Sequence, residues 1–409
     1  MKVAVIGMGY VGTVTAAVLA EAGNEVVGVD VDAVKIRALQ EEKPLIHEPG
    51  LVDVLSANGS RIRFSTSYDL IMGSEICIIC VPTPNSGGRI DLKYVRSAAG
   101  SVADINPGAV LVIKSTVLPG TAETISSETG IKVVSNPEFT KEGSAVEDTR
   151  HPDRIVIGYS DRESADLVSE LWKFTGAPVL MTNNRNAELI KYASNAFLAV
   201  KISFINEIAN LCEKIPGGDV EVIAKGMGMD RRIAPYFLRA GIGYGGSCFP
   251  KDTEALISFA RENNEELRIV EAAREINETR IPRFLDTIRK ISPPSDSRDI
   301  CVLGITFKDS TNDVRESPAA SLMKDLIQIY RTVYFYDPQI SEFDGAVACS
   351  TMEDCISRSD TVVIATEWQE FRDLEKKWFH GNIIDGKRIL DVSVMENVSA
   401  VGLGNGKNQ

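Results

Sequence analysis

Cys248 is the side chain in this sequence best placed for covalent chemistry. It closes the run Gly241-Ile242-Gly243-Tyr244-Gly245-Gly246-Ser247-Cys248-Phe249-Pro250-Lys251-Asp252 and stands just before a segment, Asp252 to Glu262, that reads as a helix. A helix N-terminus and the neighbouring Lys251 both favour thiolate over thiol, and the thiolate is the nucleophile. Four glycines in six residues raise the entropy cost of folding, so the expectation is backbone curling around a ligand. The other cysteines, Cys77, Cys80, Cys212, Cys301, Cys349 and Cys355, read as small buried hydrophobes carrying free thiols. Cys77 and Cys80 have CxxC spacing, but they lie in an apolar strand with no second pair and no nearby His. No zinc or redox site is expected there, and no metal site elsewhere.

Gly7, Gly9 and Gly12 form GMGYVG, directly after a strand and opening a helix with Tyr10 and Val11 in its first turn. In such a turn the first glycine makes the bend, the second lets backbone approach a pyrophosphate, and the third lets helix pack on strand. Asp30 ends the next strand. An acid there accepts from a ribose 2′-OH and repels a 2′-phosphate, which favours NAD over NADP. Lys35 is either a second ribose contact or a solvated helix residue. Thr83 (in Val81-Pro82-Thr83-Pro84) and Thr116 (in Lys114-Ser115-Thr116) follow two further strands at their carboxyl ends. Each is a cofactor candidate or a turn hydroxyl.

A hydride-accepting cofactor combined with an activated cysteine suits oxidation at the aldehyde level. The thiolate adds to the carbonyl, hydride leaves, and water releases the acid. Two carboxylates four residues apart, Glu138 and Glu142, follow a strand end in Asn136-Pro137-Glu138-Phe139-Thr140-Lys141-Glu142-Gly143. Lys191 and Asn195 share a helix face off its apolar stripe. Taken alone, that Lys and Asn would be solvated surface residues.

The elements that must position these groups alternate as βαβ. Strands are expected at Lys2 to Gly7, Glu25 to Asp30, Glu75 to Val81, Ala109 to Lys114, Lys132 to Ser135, Arg154 to Tyr159 and Pro178 to Thr182, with helices between them such as Thr13 to Ala22 and Val95 to Ile105. From Ala187 to about Asn277 the pattern is helical. Leu189, Ile190, Ala193, Phe197, Val200, Phe204, Ile208 and Leu211 mark one long amphipathic helix. A Pro/Ser linker, Ile291 to Arg298, precedes a restart at Ile300 to Gly304, Val333 to Tyr336, Thr361 to Ala365 and Arg388 to Val392. The expected fold is α/β: two Rossmann-like, doubly wound parallel-sheet lobes joined by the long helix and a helical middle. The expected boundaries are 1–186, 187–290 and 298–409, with GLGNGKNQ a frayed tail. The second lobe lacks GxGxxG, so it is not expected to hold a second NAD.

Over 409 residues, 44 Lys plus Arg against 57 Asp plus Glu give a net charge of -13. That balance argues against nucleic acid or a membrane surface as partner. No stretch approaches a membrane helix, no signal peptide is read, and seven scattered cysteines suggest a reducing cytoplasm.

GMGYVG, VPTP, KSTVLPGT, NPEFTKEGSA, the Lys191/Asn195 helix, GYGGSCFPKD, Gly304-Ile305-Thr306-Phe307-Lys308 and Asp313-Val314-Arg315-Glu316-Ser317-Pro318 occur in order. With them the chain resembles the UDP-glucose/GDP-mannose dehydrogenase family, over nearly its whole length. NPEFTKEGSA and Phe249 resemble the UDP-glucose branch; relatives acting on GDP-mannose or UDP-N-acetylmannosamine remain the alternative. Leu118 and Ile242 depart from the usual pattern at loop positions. The resemblance implies a homodimer that oxidises a nucleotide sugar twice with NAD. Cys248 would be the nucleophile, Lys191 and Asn195 would stabilise oxyanions, and Asp252 would support water and proton transfers. Glu138 would be an acid/base, with Thr116 holding a water. How Glu138, Lys191 and Asp252 divide the work stays open. Substrate would meet Glu138, Phe139, Lys141, Glu142, Phe237, Leu238, Arg239, Ala240, Gly241, Gly245 and Lys308, with Arg232 reaching across the dimer. Glu142, Lys251 and Arg315 would face the NAD.

Overall fold

The computed structural model describes residues 1–295, 297–376, 379, 381–391 and 398–406. It divides into two compact units, 1–194 and 195–409.

In the first unit the strands are β1 (Lys2–Ile6), β2 (Glu25–Val29), β3 (Ile62–Ser65), β4 (Ile76–Ile79), β5 (Asn85–Ser86), β6 (Arg89–Ile90), β7 (Val110–Ile113), β8 (Val133–Ser135), β9 (Ile155–Tyr159) and β10 (Val179–Thr182). Eight of them form one sheet in the order β10-β9-β8-β7-β4-β1-β2-β3, while β5 and β6 make a small hairpin. Strands β1, β4 and β7 are Val/Ile runs because helices cover both faces. Val3, Val5, Ile76, Ile78 and Val112 feed one core, and Ala4, Ile6, Cys77, Ile79 and Leu111 the other. Each fully buried Val or Ile is worth roughly 1.5–3 kcal/mol. The chain order reverses between β1 and β4, so the residues just past both strands flank a switch-point crevice. Four strands depart from expectation, β5 and β6 because the sequence predicts no hairpin there. Strand β3 has a half-exposed pattern too short to register, and β9 runs antiparallel to β8.

The second unit carries β11 (Asp299–Leu303), β12 (Thr332–Tyr336), β13 (Val347–Ala348), β14 (Thr361–Ile364), β15 (Gly381–Asp385) and β16 (Val398–Gly402). They form an all-parallel sheet ordered β13-β12-β11-β14-β15-β16. The strand expected at Arg388 to Val392 is not there. Arg388 to Asp391 lie in loop, Val392 falls outside the described residues, and β15 takes the place beside β14. The apolar Ile389 and Leu390 belong to a turn in which their N–H groups donate to buried Asp385. The tail is not frayed through Gly406. Leu403 is buried, the Gly404 N–H donates to Glu213, and the Gly406 N–H to the Gly218 carbonyl. Lys407 to Gln409 lie outside the described residues.

A 29-residue helix, Asn184–Cys212, links the two series of strands along the chain. Its buried face is not the expected stripe. Leu189, Phe197, Phe204 and Leu211 are 41–64% exposed, whereas Glu188, Lys191, Tyr192, Asn195, Ser203 and Asn206 are buried. Leu189, Phe197, Phe204 and Leu211 thus face away from the chain's own core, while a row of polar side chains faces inward beside Tyr192 and Ile205.

Candidate active site

In the first unit the GMGYVG turn is built as the sequence predicts. Gly7 has φ 95°, and a Cβ there would sit 2.8 Å from the Cys80 carbonyl; one on Gly12 would sit 1.8 Å from the Gly7 carbonyl. At Gly9 nothing lies within 4 Å, so its small size serves open space rather than packing. The helix Tyr10–Glu21 has no side-chain N-cap, which leaves its first N–H groups for an anion. Asp30 accepts from Met8 N–H at 2.7 Å and Asp32 N–H at 2.9 Å, with Lys35 Nζ 3.6 Å away. In the second unit Asp337, at the end of β12, accepts from the N–H groups of Ile305 and Thr306, just past β11. An acid at this point therefore also braces the glycine turn of a Rossmann-like lobe that lacks the nucleotide fingerprint. These residues fit a dinucleotide: open backbone at Gly9, an uncapped helix start, and a carboxylate at the ribose position.

The Ser115 hydroxyl donates to the Val81 carbonyl at 2.7 Å, tying the Thr116 loop to the Thr83 loop. Tyr10 Oη and Glu48 both accept from the Gly143 N–H, which fixes the turn beside Glu142.

Glu138, Phe139 and Lys191 come together. Lys191 Nζ donates to Glu138 Oε1 at 3.1 Å, and the Thr140 N–H and hydroxyl donate to Oε2 at 2.6 and 2.7 Å. Burial pushes the Glu138 carboxyl upward, but Lys191, the Thr140 bonds and Lys114 outweigh it and hold it below the usual carboxylate range. Lys191 Nζ and the Arg154 guanidinium lie 5.5 and 3.9 Å from the centre of the Phe139 ring. Lys141 instead pairs outward with Asp148.

Two residues beside this cluster carry no role in the sequence reading. Lys114 is buried with Nζ over the Trp172 ring, and desolvation pushes its ammonium down. Its signal is a lysine ending the apolar strand VLVI. Glu188 is buried one turn before Lys191 and accepts from Gly120 N–H, Ala122 N–H and the Ser135 hydroxyl. Its signal is an acid on the same helix face as Lys191.

The second unit holds the thiol. Cys248 is the N-cap of the helix Phe249–Glu262, with Pro250 in the first turn, and among the described cysteines it is the exposed one. Its Sγ stands 3.6 Å from Ser247 Oγ. Asp252, buried one turn on, accepts from Asn195 Nδ2 and Lys251 Nζ, each at 2.7 Å. By contrast, burial drives the thiols of Cys77 and Cys80 up to about 12, so they stay protonated. One expectation fails here: Cys301 and Cys355 are joined as a disulfide, so the cysteines are not all free. They are 54 residues apart, and packing of the helix Met352–Ser357 on β11 brings them together.

The glycine run serves packing more than expected. A Cβ on Gly245 would sit 2.0 Å from the Glu316 carbonyl, and one on Gly246 2.8 Å from the Phe307 ring. Gly241 is held by Asn206 and Arg280. Phe237 packs edge-on to Phe249, Leu238 and Ala240 are buried, and Arg239 donates to the Arg388 carbonyl. Lys308 lies by Phe307, Arg315 pairs with Asp313, and Arg232 is exposed and paired with Asp230.

Three sequence profiles of one family match in succession: the UDP-glucose/GDP-mannose dehydrogenase NAD-binding domain over residues 1–175, the central domain over 185–279 and the UDP-binding domain over 301–396. The chain belongs to the UDP-glucose/GDP-mannose dehydrogenase family. It is an NAD-dependent dehydrogenase of nucleotide sugars. It is 40% identical to UDP-glucose 6-dehydrogenase TuaD of Bacillus subtilis, over 97% of this chain and 91% of that one. In structure it resembles a UDP-glucose dehydrogenase of Pyrobaculum islandicum, with TM-score 0.91, 35% identity and 99% and 98% of the two chains covered. It also resembles a UDP-D-ManNAc dehydrogenase of Pyrococcus horikoshii, with TM-score 0.87, 29% identity and 100% of both chains covered. In this dehydrogenase no described helix is long and apolar enough to cross a membrane.

Proposed function

We propose that the chain oxidises the C6 alcohol of UDP-glucose to the carboxylate in two steps, with Cys248 as the nucleophile of the second. The observation that carries this is an exposed Cys248 capping a helix whose next turn holds buried Asp252 between Asn195 and Lys251. NAD, when bound, accepts a hydride in each oxidation. Gly7, Gly9, Tyr10, Val11, Gly12, Asp30, Lys35, Thr83, Thr116, Glu142, Lys251 and Arg315 are the residues proposed to hold it.

In the first oxidation the alcohol proton leaves by way of the Lys191–Glu138 pair, and the lysine cation stabilises the C6 oxyanion. The Cys248 thiolate then adds to the aldehyde carbon. Loss of hydride makes the thioester, and water, with Asp252 as base, frees the thiol and the acid. One alcohol, one water and two NAD give one carboxylate, two NADH and three protons.

The substrate-binding role of residues 237–241, Gly245 and Lys308, and the boundaries 1–186, 187–290 and 298–409, belong to the same proposal. So does a cytoplasmic homodimer in which Arg232 serves the partner's substrate. The uncovered apolar face of the long helix supports the dimer. The test is NADH formation with UDP-glucose, GDP-mannose and UDP-N-acetylmannosamine. The highest kcat/KM is expected for UDP-glucose; a better rate with either rival reassigns the sugar.

A further inference from the structure

Glu188 has no acid–base role in the proposed reaction, yet its bonds hold the segments that carry Glu138 and Lys191. It lies on the long helix, three residues before Lys191. Its Oε2 accepts from the Gly120 N–H at 2.6 Å; its Oε1 accepts from the Ala122 N–H at 2.9 Å and from the Ser135 hydroxyl at 3.2 Å. Gly120 and Ala122 open the helix Thr121–Thr129 and close the loop that begins at Thr116. Ser135 ends β8, three residues before Glu138. Asn184, on the same helix, accepts from the Ser135 N–H at 3.0 Å and doubles that link. One buried carboxylate thus joins the Thr116 loop, the strand end leading to Glu138 and the helix bearing Lys191.

We propose that Glu188 is a positioning residue of this dehydrogenase, its carboxylate clamping these three segments in register. The inference rests on the roles proposed above for Thr116, Glu138 and Lys191. Three donors match a carboxylate, whose charge-assisted bonds are the strong ones; a protonated Glu188 is a weaker acceptor and suffers a loss of strength in the bonds from Gly120 and Ala122. Burial raises its carboxyl to about 7 against the pull of its own hydrogen bonds, so that loss falls at neutral pH. The charged groups around it are Glu123, on the helix opened by Gly120, which is paired with Arg185 Nε at 2.8 Å and raises Glu188 further, and Lys191 and Glu138 one turn and one loop away. Glu138 is held in the opposite direction, so it does not titrate in the same window.

The test is the pH dependence of kcat and KM for the intact enzyme with NAD and UDP-glucose, for wild type, Glu188→Gln and Ser135→Ala. In the wild type kcat is expected to fall as pH drops through about 7, with both KM values steady. Glu188→Gln, whose amide confronts a backbone N–H with its own NH2, should lower kcat about 10-fold above pH 7 and abolish that limb, so that its deficit shrinks as the wild type falls. Ser135→Ala removes one donor to the carboxylate and should move the limb upward by about half a unit. A Glu188→Gln enzyme that keeps the wild-type limb, or loses only substrate affinity, overturns the proposal. Should that variant fail to fold, an unmoved limb in Ser135→Ala overturns it. A wild type inactive on UDP-glucose would instead remove the reading of function. In that case the infrared band of the protonated carboxyl decides, and the absence of a titration near 7 ends the proposal.

Discussion

At Lys191 a single ion pair sets the protonation of the acid beside it. Glu138 is buried, and what keeps it ionised is Lys191 at 3.1 Å, helped by Thr140 and Lys114. Lys191→Met removes the largest of these lowering influences and leaves the burial, so the Glu138 carboxyl should rise through and above its ordinary range. In activity terms, the acid limb belonging to Glu138 should move to higher pH, and kcat at neutral pH should fall about 10²–10³-fold, as when one oxyanion stabiliser is removed. The pH profile of kcat checks this; an unmoved limb would detach Lys191 from Glu138. Lys191 and Asn195 were legible as a helix-face pair, but their burial was not. Their isolated residue types predict solvation, and only the tertiary partners Glu138 and Asp252 make them affordable inside. Glu188 escaped notice for the same reason: its partners are backbone N–H groups, which leave no mark on composition.

Among the elements, the glycine loop before Cys248 is fixed by contact at Gly245 as well as by the positive φ of Gly243 and Gly246. The Glu316 carbonyl occupies the place of a Gly245 side chain. Gly245→Ala should therefore cost about 3 kcal/mol of stability, through displacement of backbone that cannot yield as a flexible side chain would. The urea midpoint at unchanged slope measures this, and a midpoint within error of wild type would show the loop free to shift. The parallel strands were readable because helices cover both of their faces, making them near-continuous Val/Ile runs. Strand β15 was missed because its two apolar residues, Ile383 and Ile384, are overshadowed by the Arg388-Ile389-Leu390 turn. The disulfide was invisible because pairing over 54 residues depends on a helix docking that spacing does not encode.

For the whole molecule, the long helix exposes Leu189, Phe197, Phe204 and Leu211, a row that a lone chain would leave to water. In the proposed homodimer this row is the covered face. Phe197→Asp should then shift the sedimenting species from dimer to monomer at micromolar concentration; a wild type that sediments as a monomer would contradict the assembly. The βαβ rhythm, the GMGYVG turn and the cysteine motif made the family readable from sequence. The helical stripe was also legible, but as a pattern it cannot say whether it faces the chain's own core or another molecule. The central claim is that one enzyme performs both oxidations and that the second passes through Cys248. Its most direct measurement is the yield of NADH at completion with limiting UDP-glucose, for wild type and Cys248→Ala. The account predicts two NADH per sugar for the wild type, with acid formation lost and NAD binding kept in the variant. One NADH per sugar in the wild type, or full acid formation without the thiol, would contradict it.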